Sequence, residues 1–225
     1  MLKLSAWWLH REWRYYRSWR WREGGPTIWY FAFGANLDSK VLKDRHMRPL
    51  KIEPFVLDDF ELRFSHPSNW EGVGYASAHA ADGKAVYGHL IQLPAPDAYR
   101  MDSHELVPFF RRYQRFEHQQ GDRKFYFYIS RVPSPGLGPT PAYLGKMLVG
   151  LNVHPDIPDT TREFYRQHPT VEPDTPTRDS QYFVQRGRWP AWLVKIAGPY
   201  EIFMSWLLIE HVRKWTLFGR FLRER

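Results

Sequence analysis

Two short stretches hold the residue types that could do chemistry. The first is IWYFAFGANL, residues 28–37, where an isoleucine and four aromatic residues lead into Gly34-Ala35-Asn36. A buried strand running straight into a tight turn is what this composition predicts. Gly permits unusual backbone angles and close approach, Ala adds almost no bulk, and Asn tolerates left-handed geometry. Such a loop can present several N–H groups to an anion or a carbonyl oxygen. An ordinary strand followed by an ordinary turn uses the same residues. The second stretch is Met101-Asp102-Ser103-His104-Glu105, which reads as a short helix ending in an acid just before Leu106, Val107 and Pro108. A carboxyl flanked by apolar residues can be partly desolvated, which raises its pKa toward that of a general base. A plain surface acid is the local alternative.

Other chemistries are poorly supplied. The 225 residues include no cysteine, which excludes a disulfide framework, a thiolate metal site and a cysteine nucleophile. No nucleophile-elbow, phosphate-loop or H-E-x-x-H pattern occurs, and His104-Glu105 lacks a second histidine one turn on. Ten histidines are scattered without ligand spacing, so neither a metal nor a cofactor is expected.

The elements that must position these stretches are mostly strands. A helix is predicted over residues 38–48, its N-terminus adding a positive dipole end beside the loop. Strand-like runs follow at 54–57, 60–64, 74–79 and 84–93, with turns at Asp58-Asp59, at 67–72 and at Asp82-Gly83. The Asp-Gly pair is a hairpin signal. A short helix ending at His104, two strands around Gly121-Asp122, a Pro/Gly loop and helices in AYLGKMLVGL and TTREFYRQH complete the pattern.

Charge separates the ends from this middle. Residues 1–22 carry a net +5 and residues 186–225 another +5, leaving −2 between them out of a total of +8. Four regions result: a basic aromatic segment over 1–26, a folded domain over 27–168, a Pro-rich linker over 169–188 and an amphipathic basic tail over 189–225. Trp and Arg together suit an anionic membrane surface, and the longest uncharged run after Glu201 is eight residues, too short to span a bilayer. The expectation is a cytoplasmic protein attached peripherally to a membrane, with no nucleic-acid partner. The competing expectation is that the tail folds over the domain or pairs with another copy.

The order of YFAFGAN, a helix, VYGHLIQL, MDSHE, FFRRY and PAYLGKML resembles the γ-glutamylcyclotransferase superfamily over residues 28–168. The resemblance implies an α+β fold around a small, mixed, mostly antiparallel, barrel-like sheet with flanking helices. It implies cyclisation of a γ-glutamyl amine or peptide to 5-oxoproline, with Glu105 as the acid/base. Phe33, Gly34, Ala35 and Asn36 would form the substrate-binding loop, and Tyr143 matches a tyrosine of the family's late helix that reaches the ligand. Three departures stand out: Phe33 replaces the usual Tyr, Ala35 the usual Ser, and Leu106 the usual Gly after the acid. The two missing hydroxyls motivate an alternative, a non-catalytic binding module or membrane-associated scaffold on the same fold.

Overall fold

The computed structural model describes residues 23–45, 47–105, 113–153, 157–175 and 177. Strand β1 (Thr27–Ala32) is the middle of a five-stranded sheet of order β2-β3-β1-β5-β4, with β2 Lys51–Pro67, β3 Gly74–Pro94, β4 Tyr113–Gln120 and β5 Arg123–Ser130. Every neighbouring pair is antiparallel except β1 with β5, which run parallel with Tyr30 opposite Tyr126. The α+β, mostly antiparallel expectation holds. The central position of β1 explains its unbroken aromatic run, because a strand covered on both faces has no polar side to keep.

Alternation along β1 and β5 sorts rings by chemistry. Successive strand side chains point to opposite faces, so Phe31 meets Phe125 and Phe127 with centroids 6.0 and 6.2 Å apart. On the other face Tyr30 meets Tyr126 and Tyr128 at 5.2 and 5.8 Å. One face of the sheet is therefore hydrocarbon and the other carries phenol groups. Full burial of one such ring contributes about 1.5–3 kcal/mol.

The sheet is open in its backbone pairing, yet its two edges meet. At the end of β4 the Gln120 amide donates to the Val56 carbonyl at 3.0 Å and to Asp58 at 2.7 Å, and accepts from the Asp58 N–H at 3.0 Å. Phe60 of β2 also packs its ring against Phe116 and His118 of β4. Among the described residues the two edges are joined by side chains and by no backbone ladder, so the sheet is open where a barrel-like one was expected.

Two turn expectations need correction. Asp58-Asp59 and Asp82-Gly83 do not reverse the chain, and β2 and β3 pair continuously on either side of them. Asp58 faces Ala85 and Phe60 faces Ala80, so residues 81–84 bulge opposite Asp59 alone. The signals were real but served a bulge: Asp59 and Gly83 take positive φ, and the Gly83 N–H donates to the Asp59 carboxylate at 2.9 Å. The hairpin turn is the one expected at 67–72, between Pro67 and Gly74.

Four helices flank the sheet: α1 Ser39–Asp44, α2 Ala95–His104, α3 Pro141–Asn152 and α4 Asp159–Gln167. Helix α3 starts with Thr140 as cap, its hydroxyl accepting from the Tyr143 N–H at 3.1 Å, and Pro141 in the first turn. It then crosses the loop after β1 so closely that a Cβ on Gly150 would lie 2.4 Å from Leu37 atoms. Tyr143, two turns earlier on the same helix face, is thereby aimed at the same loop. Part of the stretch expected as a linker is laid against the domain. Val171 N–H bonds to the Pro139 carbonyl, and the Glu71 and Thr177 N–H groups bond to Thr175 and Asn69. No helix among the described residues is long and apolar enough to cross a membrane.

Candidate active site

The loop after β1, the end of α2 and the start of α3 close around one cavity of about 380 Å³. Its floor is the phenol face of the sheet, Tyr30 and Tyr128, joined by Tyr75 and Tyr113. The loop residues Phe33, Gly34, Ala35 and Asn36 form one wall, Arg45 and Glu105 another, and Tyr143 a third. All six residues expected from the sequence line this single space.

Glu105 is positioned by the helix before it. Its N–H still bonds to the Met101 carbonyl at 2.9 Å, and Met101 is fully buried beneath the loop. Two buried aspartates anchor α2 on either side. Asp97, with no exposed surface, accepts from the Arg48 backbone N–H at 3.1 Å and from two guanidinium nitrogens at 3.2 Å each. Asp102 accepts from the Tyr128 hydroxyl at 2.6 Å and from Arg115 at 3.4 Å, while the Arg115 guanidinium lies 3.8 Å over the Tyr126 ring. The helix cannot slide or turn without breaking these charged contacts.

The Glu105 carboxylate meets a partner that sequence reasoning missed. Arg45 Nη1 donates to Glu105 Oε1 at 2.5 Å, and the same nitrogen lies 3.5 Å from the Met101 sulfur. The side chains are 27% and 15% exposed, so the pair is largely withdrawn from water but open to the cavity. Burial opposes the charge on Arg45, but the charge and hydrogen bond of Glu105 outweigh it and hold the guanidinium pKa above its ordinary value.

Around this pair the loop is held by phenols. The Asn36 amide nitrogen donates to the Tyr30 hydroxyl at 2.7 Å, and its oxygen is buried without a hydrogen-bond partner among the described residues. The Ala76 N–H donates to the Tyr143 hydroxyl at 3.2 Å, and the Ala35 N–H also bonds to it. Tyr113 is stacked on His66 with centroids 3.6 Å apart, and His66 Nδ1 is 2.9 Å from the Ser130 hydroxyl. Burial pushes the Tyr30, Tyr113 and Tyr143 phenols well above their ordinary pKa, and the negative charge of Glu105 adds to the shift in all three. These phenols stay protonated donors across the physiological range.

Three solved structures share this arrangement of elements. One described as a γ-glutamyl cyclotransferase matches with a TM-score of 0.55 at 18% identity, over 72% of this chain and 100% of that one. The chain has the γ-glutamylcyclotransferase fold. An uncharacterized human protein matches at 0.54 and 18% identity, over 71% and 98% of the two chains. YkqA from Bacillus subtilis matches at 0.53 and 17%, over 66% and 58%. No family model and no curated protein matches the sequence.

Within this fold the loop differs from its sequence-based expectation. Gly34 has φ −115°, outside the left-handed region, so the positive φ that favours glycine is not used here. A Cβ there would lie 2.7 Å from the Tyr143 hydroxyl, so the glycine makes room for the protein's own phenol. The dipole expected from the following helix is also altered. Helix α1 has six residues, and Asp38 already caps it by accepting from the Lys40 N–H at 2.8 Å. Among the described residues no group of three or more His, Asp or Glu is arranged to hold a metal ion.

Proposed function

We propose that the chain is a γ-glutamylcyclotransferase, converting a γ-glutamyl amine or peptide to 5-oxoproline and a free amine. The observation that carries this reading is the placement of the Glu105 carboxylate and the backbone of residues 33–36 on one cavity. The reaction needs no enzyme nucleophile, because the substrate's own α-amine attacks its γ-carbonyl carbon. It needs a base to free the amine's lone pair, and Glu105 fills that role. As the new C–N bond forms, the carbonyl becomes an oxyanion, for which the Tyr143 phenol on the cavity wall is a donor in reserve. Its oxygen accepts from Ala35 and Ala76, leaving its own proton to be given. Collapse of the tetrahedral centre breaks the old C–N bond. The two protons lost by the attacking nitrogen are returned through Glu105 to the departing amine, which leaves as an ammonium.

A binding module without turnover is the second reading, favoured by the engagement of the Ala35 N–H with Tyr143 and by the absence of hydroxyls at Phe33 and Ala35. Incubating the purified full chain with a panel of γ-glutamyl amines and peptides separates the two. An enzyme releases 5-oxoproline from at least one of them, whereas a module binds and releases none.

Attachment to an anionic membrane surface through the Trp- and Arg-rich ends is part of the same reading. Residues 1–22 and 189–225, which would carry it, lie outside the described residues, and it rests on their composition and net charge. Flotation with anionic and neutral liposomes tests it. Equal, negligible binding to both at low salt removes the membrane from the proposal.

A further inference from the structure

The geometry points to Arg45 as the receptor for the substrate's α-carboxylate, reached when the zwitterionic head of a γ-glutamyl compound inserts between Arg45 and Glu105. This assignment rests on the cyclotransferase reading for the identity of that head group. A free α-amino acid head carries an ammonium and a carboxylate on one carbon. Its complement is a carboxylate and a guanidinium side by side on one cavity wall, which is what Glu105 and Arg45 present at 2.5 Å. Insertion exchanges one ion pair for two and leaves no withdrawn charge without a partner, so the desolvation penalty that opposes burying a lone charge does not arise. Both contacts made by Arg45, to Glu105 and to Met101, use Nη1 of a group with five N–H donors. The fork geometry suits bidentate capture of a carboxylate.

Parts of two other anion receptors suggested by the sequence are already engaged. The Ala35 N–H is bonded to the Tyr143 hydroxyl, and the first turn of α1 is capped by Asp38. When the substrate carboxylate takes the guanidinium, Glu105 faces the ammonium whose proton it must accept.

Calorimetric titration of the full chain with L-glutamine, the simplest γ-glutamyl amide, and with 4-aminobutanamide, which lacks only the α-carboxylate, reads this directly. The parent should bind glutamine about tenfold or more tightly than the analogue, as expected for a charge-assisted carboxylate contact. Arg45→Met should bring the ratio close to one, and Arg45→Lys should lower it while retaining some preference. A parent that does not discriminate, or an Arg45→Met protein that folds and keeps the parent's ratio, overturns the assignment. If the Met variant does not fold, the Lys variant decides, and a ratio equal to the parent's overturns it. Arg45-dependent discrimination with no 5-oxoproline from any substrate would sink the cyclotransferase reading but keep this one. Turnover with an unchanged ratio would do the reverse.

Discussion

The hydroxyl of Tyr143 occupies the space in front of Gly34, 2.7 Å from where a Cβ would stand. The other near atoms, Ala76 Cβ at 3.6 Å and Tyr143 Cζ at 3.8 Å, are ordinary contacts, so the phenol oxygen alone makes this position intolerant. Gly34→Ala should destabilise the domain by about 1–3 kcal/mol, the usual cost of overpacking. Tyr143→Phe should also destabilise, because it strands the N–H groups of Ala35 and Ala76. Removing the hydroxyl makes room for the methyl, so the double variant should lose less than the sum of the two by about 1 kcal/mol or more. Urea denaturation of the four proteins measures the coupling. Strict additivity would show that Tyr143 does not abut Gly34.

Alkaline titration tests the phenol face. Six tyrosines, at positions 30, 113, 126, 128, 143 and 165, have pKa values raised by burial. A raised folded-state value means that the native protein keeps a proton that the unfolded chain has lost. The stability from these groups is fully present below about pH 10 and falls as pH climbs above it. Absorbance at the phenolate band should show an exposed subset ionising near pH 10. The remainder should ionise only with the cooperative loss of near-ultraviolet circular dichroism. Smooth titration of all thirteen tyrosines near pH 10 with the fold intact would contradict the buried cavity wall.

The anchoring of α2 gives a third expectation. Asp97→Ala removes the carboxylate that accepts from the Arg48 backbone N–H and guanidinium, and Asp102→Ala removes the one that accepts from the Tyr128 hydroxyl and Arg115. Each should lower stability by about 3 kcal/mol, the low end for breaking a withdrawn charged contact. The Asp102 variant should also lose activity out of proportion to its folded fraction, because Glu105 lies one turn beyond it. A variant at either position with parental stability in thermal denaturation would show that the helix is held by something else.

What could be read in the sequence was local. Residues 28–37 announced a strand and a tight loop because aromatic residues give way abruptly to Gly34 and Ala35, and the alternating Phe and Tyr of β5 show both faces of one strand. Arg45 was hidden because it ends a six-residue helix rich in charged residues, and nothing in its spacing links it to an acid 60 positions later. Tyr75, Tyr113 and His66 reach the cavity only through strand register, which single-sequence patterns do not specify. Asp82-Gly83 misled for a physical reason: positive φ serves a bulge as well as a reversal, and only the pairing partner tells them apart. Gly34 was singled out for close approach of a ligand, and the atom found against it is the Tyr143 hydroxyl of helix α3.

Turnover of a γ-glutamyl substrate by the parent and by Glu105→Gln, with 5-oxoproline as the readout, is the most direct test of the proposed chemistry. The amide keeps the size and most of the hydrogen bonding of the carboxylate but cannot carry the proton. The rate per folded molecule should fall by roughly 100-fold or more, a larger loss than the lower thermal midpoint expected from removing the charge opposite Arg45 would cause. A Gln variant that forms 5-oxoproline at the parental rate would contradict the assignment of Glu105 as the acid/base.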